Sequence, residues 1–253
     1  MDIHLSYNNE TWKADLSKPL DISISMGNDK KAKVNCYFAT PFQANPVKAD
    51  SWEGSVKTGF PVNFYDIAIN PHGNGTHTEC FGHLSVEMQS VSDQLKEYHF
   101  ISQLISISPS EINGDLVFTL SDIEHIEFIP KLKGLVIRTL PNESTKLFAN
   151  YSGANPPYFD AALIAHFNAM GITHIIIDLP SIDKESDGGL LAGHRAFWNN
   201  GSPDRLNCTI TELVYIDNSI KDGLYLVNLQ LAPIELDASP SRPVLFSLET
   251  LNS

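Results

Sequence analysis

Basic side chains are scarce in this chain. Lys and Arg number 17 against 30 Asp and Glu, a formal net charge of −13. That sign disfavours nucleic acid and anionic membrane as partners, and leaves small molecules and other proteins. Cysteine is scarcer still, with only Cys36, Cys80 and Cys208. An odd, sparse set makes no disulfide framework, and the lack of a C-x-x-C pair excludes a zinc ribbon. No apolar run approaches the length needed to span a bilayer. No G-x-S-x-G elbow is present, which disfavours a serine hydrolase. Gly153-Ala154-Asn155 and Gly188-Gly189 do not make a phosphate-cradling loop, which disfavours a nucleotide enzyme. The polar start, Met1-Asp2-Ile3-His4, lacks the basic and apolar regions of a signal peptide, so the expected location is cytoplasmic.

What is present suits a folded enzyme-sized chain. The 253 residues are 42% hydrophobic and 19% charged, ample for a sizeable core and unlike a disordered chain. No repeat or linker interrupts them, and residues 1–253 read as one domain. Leu20 to Ile24 alternates as a short strand. Residues 26–60 form a loose excursion, with a turn at Gly27-Asn28-Asp29 and breaks at Pro41, Asn45-Pro46 and Gly54. Tyr37, Phe42 and Trp52 are either packing in that excursion or the wall of a pocket. Val62 to Ile69 reads as a strand. A short helix is expected around Ser92–Tyr98, capped by Ser90 or Ser92, and a capping box at Ser121 and Glu124.

Strands are further expected at 100–107 and 116–118. Gly134 to Thr139 and His174 to Asp178 centre on the apolar runs Leu135–Ile137 and Ile175–Ile177, the pattern of strands buried on both faces. Between them, residues 159–170 carry Phe159, Ala162, Leu163, Phe167 and Met170 on one helical face, with Gly171 as the stop. Strand, helix, strand predicts a βαβ unit and a partly parallel sheet in an α/β protein. Thr209 to Val214 fits a helix or a strand. Residues 224–233 and 244–248 read as strands, joined by a turn at 237–243.

The chemistry concentrates in Asn70-Pro71-His72-Gly73-Asn74-Gly75-Thr76-His77-Thr78-Glu79-Cys80-Phe81-Gly82-His83. If Thr76 to Cys80 is extended, His77 and Glu79 point to one face. Imidazole beside carboxylate suits zinc or another divalent first-row ion. More ligands must come from elsewhere. His194 and Glu212 are the best distant candidates, because they bracket a Gly/Pro/Asn-rich loop, although each alone also fits a structural role. His4, His99, His125, His166 and His174 lie in segments with no other site features and read as structural. Arg138 and Arg195 could meet a substrate carboxylate, but Arg138 better suits a buried partner such as Asp178.

This segment resembles the H-x-G-[TA]-H-x-D-x-P-x-H pattern of the cyclase family that includes bacterial kynurenine formamidases. Gly75-Thr76-His77 matches its centre, Glu79 its aspartate, Phe81 its proline and His83 its last histidine. The likeness continues through Asp15-Leu16-Ser17, Leu135–Thr139, Ile176–Asp183, Thr211-Glu212-Leu213 and the final hairpin at Leu231-Ala232-Pro233 and Ser241-Arg242-Pro243. The resemblance implies an α/β fold of swivelling β/β/α type with a mixed, partly barrel-like sheet flanked by helices. It implies a homodimer or homotetramer, and a site for one or two Zn2+ ions or for Mn2+. His72, His77, Glu79, His194 and Glu212 would be the metal ligands, with Glu79 bridging, and His83 the general acid/base.

Three departures stand out. Asn74 is an extra residue between His72 and the Gly-Thr-His core. Glu79 is one methylene longer than aspartate, a shift of roughly 1.3–1.5 Å where metal–ligand distances tolerate about ±0.2 Å. Phe81 replaces a proline, and an aromatic there could line a pocket. The expected activity is hydrolysis of a small amide or formamide carbon–nitrogen bond, with a metal-activated water and His83 moving protons. The rivals are a lactonase or lyase using the same site, and a metal-free member acting as a binding protein.

Overall fold

The computed structural model describes residues 1–28 and 34–251. Asp29 of the expected turn therefore lies outside the described residues. Seven strands close on themselves: β1 (His77–Glu79), β2 (His99–Ile107), β3 (Gly134–Thr139), β4 (His174–Ile177), β5 (Thr209–Glu212), β6 (Gly223–Leu231) and β7 (Ala238–Ser247). Their order is β6-β2-β3-β4-β5-β1-β7, and pairing of β6 with β7 completes the barrel-like sheet. β2, β3, β4 and β5 run parallel. β1 is antiparallel to both its neighbours, as is β6. Leu20–Asp21 adds to the outside of β7.

The continuous apolar runs behave as strands covered on both faces. Leu135 and Ile137 of β3 and Ile175 and Ile177 of β4 join a core with helices α2 (Ala161–Ala169) and α3 (Ala192–Phe197), which follow the short first helix α1 (Val91–Gln94). The alternate residues Val136 and Ile176 join a second core with Leu104, Val227 and Leu245. Each such side chain contributes roughly 1.5–3 kcal/mol through burial. The α2 helix connects two parallel strands, as its periodicity requires. Asp160 accepts a hydrogen bond from Ala162 N at 2.7 Å and starts it, while Gly171, at φ +82°, ends it. Phe159 instead belongs to a short strand, Tyr158–Phe159, beside Phe118.

Several expected boundaries move. The reversal expected at 237–243 lies earlier, and Ala238–Ser247 is one strand. Pro240 and Pro243 read as turn residues, yet both are accommodated within it. Only Tyr65–Ala68 of the expected strand at 62–69 is extended, and it pairs with Gln43–Pro46 in a separate ribbon. The helix expected at 92–98 is Val91–Gln94, with Ser90 as its cap. The capping box sits at Thr119 and Asp122, two residues before the expected pair. Thr209–Glu212 resolves as strand. Among the described residues, no helix is long and apolar enough to cross a membrane.

Candidate metal centre

β1 carries His77 and Glu79 on one face and Thr78 on the other. Thr78 Oγ1 lies 2.8 Å from Thr211 Oγ1 and 2.8 Å from Ser241 Oγ. The antiparallel register sets Glu212 directly opposite His77. The pairing of β1 with β5 therefore delivers two carboxylates and an imidazole to one spot. His194 arrives on α3. Asp183 accepts hydrogen bonds from Gly193 N at 2.7 Å and His194 N at 3.0 Å, and its Oδ2 lies 2.6 Å from His194 Nδ1. A Cβ on Gly193 would fall 2.9 Å from Asp183 Oδ1, so any larger residue would push that carboxylate off the helix start.

His72 reaches the site despite the extra residue. The turn absorbs Asn74, whose side chain is buried: Oδ1 accepts from Asn70 N at 2.7 Å and Nδ2 donates to Thr40 O at 3.1 Å. His72 Nδ1 lies 3.2 Å from Glu79 Oε2, and Nε2 2.9 Å from Asp237 Oδ2. His194 Nε2 is 3.0 Å from Glu79 Oε1 and 4.0 Å from Glu212 Oε1. His77 Nε2 is 3.4 Å from Glu212 Oε2. His83 Nδ1 lies 4.0 Å from Glu79 Oε2 and 3.1 Å from Asp237 Oδ2. All six residues singled out in the sequence thus surround one point, and His77 and His194 bracket the same two carboxylates.

The donors fit a cation. His77, Glu79, His194 and Glu212 are at most 3% exposed. His77 Nε2 and both carboxylate oxygens of Glu79 make no hydrogen bond among the described residues. A buried carboxylate so placed is costly unless a positive charge compensates it. Three sets, His72/His77/Glu79, His72/His83/Asp237 and Glu79/His83/His194, each bring their donor atoms within 4.8 Å of one another. Nitrogen and oxygen donors of this kind suit divalent first-row ions. The outer contacts orient the rings: His77 Nδ1 lies 2.9 Å from the Gly75 carbonyl, and Asp183 holds His194, so both Nε2 atoms face inward.

The electrostatics of the cluster point to the same demand for positive charge. Burial disfavours the Glu79 carboxylate, yet His83 and His194 hold its carboxyl well below the usual range. Burial also disfavours the charged imidazoles, but Asp237 and Glu79 push His72 up to about 10. Glu79 and Asp183 likewise push His194 up to about 10. Burial and then the Glu79 charge raise Glu212, against the pull of His77. Hydrogen bonds from His72 and His83 lower Asp237.

A cavity of about 480 Å³ opens over these groups. His72, Glu79, His83, His194 and Glu212 line it, together with Tyr37, Leu191 and the 181–189 loop. Of the three aromatics singled out in the early excursion, Tyr37 alone lines it, and its hydroxyl donates to Pro180 O at 2.9 Å. Phe42 lines a separate cavity, and Trp52 packs near Phe60 and Phe64. Phe81 does not line the pocket but sits edge-on to Trp198 in the helical core, ring centroids 6.2 Å apart. Arg138 pairs with Asp222 at 2.8 Å, while Lys146 takes Asp178. Arg195 Nε donates to Leu190 O. Neither arginine lines the cavity.

Two site residues escaped sequence reasoning. Asp183 lies inside a segment read as family-like, eleven residues before the histidine it orients. Asp237 was read as part of a turn, and is 154 residues from His83. No local pattern marks it. Only the pairing of β1 with β7 brings it in, extended by Cys80 N donating to Asp237 O at 3.0 Å.

Residues 10–184 match the family described as "Putative cyclase". The chain belongs to this cyclase family. A kynurenine formamidase of Bacillus anthracis is 27% identical over 231 residues, spanning 90% of this chain and 97% of its own. One from Bacillus mycoides is 26% identical over 230 residues, with the same coverage. Among solved structures, isatin hydrolase A from Labrenzia aggregata bound to benzyl benzoate superposes with a TM-score of 0.62 at 15% identity, over 92% of this chain and 94% of that one. A potential metal-dependent hydrolase with cyclase activity gives a TM-score of 0.62 at 14% identity, over 91% and 98%. These structures share the barrel-like fold described above.

Proposed function

We propose that this chain is a metal-dependent hydrolase of a small amide or formamide carbon–nitrogen bond, with aryl formamides as the substrate class. The observation that carries the reading is the convergence of His77, Glu79, His194 and Glu212, almost fully buried, beneath one cavity edged by the accessible imidazole of His83. Kinship with kynurenine formamidases supports the choice of bond.

His72, His77, Glu79, His194 and Glu212 would hold a divalent cation such as Zn2+ or Mn2+, which when bound would supply Lewis acidity toward water and the scissile carbonyl. The side chains do the rest. The Gly75 carbonyl and Asp183 keep the His77 and His194 rings from turning. His83 takes a proton from the attacking water and returns one to the leaving nitrogen. Tyr37 and Leu191 wall the cavity beside it and offer apolar surface to an aromatic substituent. The chain acts as a homodimer or homotetramer in this reading, which light scattering checks.

The test is elemental analysis of the purified chain, followed by turnover assays on formamides, lactones and cyclic amides. Stoichiometric metal and preferential formamide cleavage are expected. Absence of bound metal after loading with zinc or manganese would overturn the reading. Preferential lactone cleavage would move the protein to a different reaction on the same site.

A further inference from the structure

Asp237 lies where a strand end meets the turn that carries His83. Its backbone is held from two sides. Cys80 N donates to its carbonyl at 3.0 Å, and Val91 N donates to the preceding Leu236 carbonyl at 2.8 Å. His83 belongs to the single helical turn Phe81–Leu84 that follows Cys80. Gly82 in that turn has no room for a side chain: a Cβ would fall 2.1 Å from Gln89 O and 3.1 Å from Asp237 Cβ. The turn therefore packs tightly against the start of β7. Asp237 Oδ2 ends 3.1 Å from His83 Nδ1 and 2.9 Å from His72 Nε2. His83 lines the cavity, and its Nε2 has no protein partner among the described residues.

We propose that Asp237 is a positioning residue for His83, whose Nδ1–H it accepts, so that Nε2 is left to receive a proton inside the cavity. The inference rests on the hydrolase reading above. An imidazole that must act as a base needs its lone pair on the nitrogen facing the reactants. A carboxylate on the other nitrogen selects that tautomer and stops the ring from flipping. An asparagine there keeps the shape but loses the charge, and with its amide N–H turned toward Nδ1 the ring proton moves to Nε2. The same oxygen also holds His72, so one carboxylate aligns the proton carrier with an edge of the cation centre.

Two measurements test this. The first is long-range 1H–15N NMR of the histidine rings in the metal-free full chain, with His83 assigned by its absence in His83→Gln. Neutral His83 is expected to carry its proton on Nδ1 in the wild type and on Nε2 in Asp237→Asn. The second is turnover of formanilide at saturating Zn2+, with metal content matched between proteins. Asp237→Asn is expected to lower kcat by at least about tenfold with little change in KM, and Asp237→Glu to recover part of the loss. Wild-type His83 protonated on Nε2 overturns the proposal, even if the variant fails to fold. A metal-replete Asp237→Asn whose kcat stays within about twofold of wild type also overturns it. If the wild type turns over no formamide, the hydrolase reading fails, and the NMR result still decides whether Asp237 sets the tautomer.

Discussion

Glu212 and His77 face each other across antiparallel strands, with Glu212 Oε2 3.4 Å from His77 Nε2. Glu212 is nonetheless an electrostatic burden on the cation-free fold, because burial and the nearby Glu79 charge both disfavour its ionised form. Glu212→Gln keeps an oxygen for the Ile182 N–H, now 3.3 Å from Oε1, and removes that charge. The variant is therefore expected to lose cation affinity by at least about tenfold, while its metal-free melting temperature stays level or rises. Chelator competition and thermal melts check the two halves. A large fall in metal-free stability would show that the charge is needed for folding itself.

His83 differs in setting from the buried donors, since it sits at the cavity edge and is 30% exposed. His83→Ala is expected to retain stoichiometric metal and to lose roughly 10²–10⁴-fold in kcat, the usual contribution of general acid–base catalysis. Elemental analysis beside steady-state kinetics separates the roles. Full activity refutes the proton-transfer role, and loss of metal would make His83 a ligand.

The candidate residues of this centre were legible from the cluster at 72–83 and, for His194 and Glu212, from the loop they bracket and the family resemblance. His77 and Glu79 share a face because strands alternate, which any extended reading of Thr76–Cys80 predicts. The buried runs at β3 and β4, and α2 between them, follow from apolar patterning alone. Which carboxylate meets which base was not legible. Asp178 was matched with Arg138 because both lie in buried strands, yet Arg138 reaches Asp222 and Ser106 instead. Asp237 needed the register of β7 on β1, hidden behind Pro240 and Pro243. Phe81 kept its apolar character but turned to the helical core, a choice between two surfaces that composition cannot make.

Asp178 anchors the segment that leads to the site. Lys146 Nζ lies 2.8 Å from its Oδ2, and Thr139 donates to it from both N and Oγ1. Burial raises this carboxyl despite the lysine. Lys146→Met leaves the charge without its cationic partner, and breaking a buried pair from one side costs about 3–5 kcal/mol. Urea unfolding is expected to show a lowered midpoint with an unchanged slope, the product of slope and midpoint shift matching that loss. Loss of less than about 1 kcal/mol would mean that Thr139 and proton uptake suffice to satisfy Asp178.

His174 sets an acid limit on the fold that is independent of the candidate metal centre. Its ring stacks on Phe100 with centroids 4.1 Å apart, and Nδ1 lies 2.9 Å from Thr209 Oγ1. Burial, aided by Lys133 and Arg205, pushes its pKa down to about 3. An unfolded histidine takes up a proton near pH 6.5, so between there and about 3 the unfolded chain binds the extra proton. The stability supplied by neutral His174 is complete above about pH 6.5 and falls by roughly 1.4 kcal/mol per pH unit through that window. His174→Phe removes this dependence. At pH 7 the variant is expected to be less stable by roughly 1–3 kcal/mol, because the Thr209 hydroxyl loses its partner. Its stability then declines less steeply with acid, and the two curves approach or cross toward pH 4. Urea titrations at several pH values test this. Parallel curves would show that the His174 ring accepts a proton in the folded state as readily as in the unfolded one.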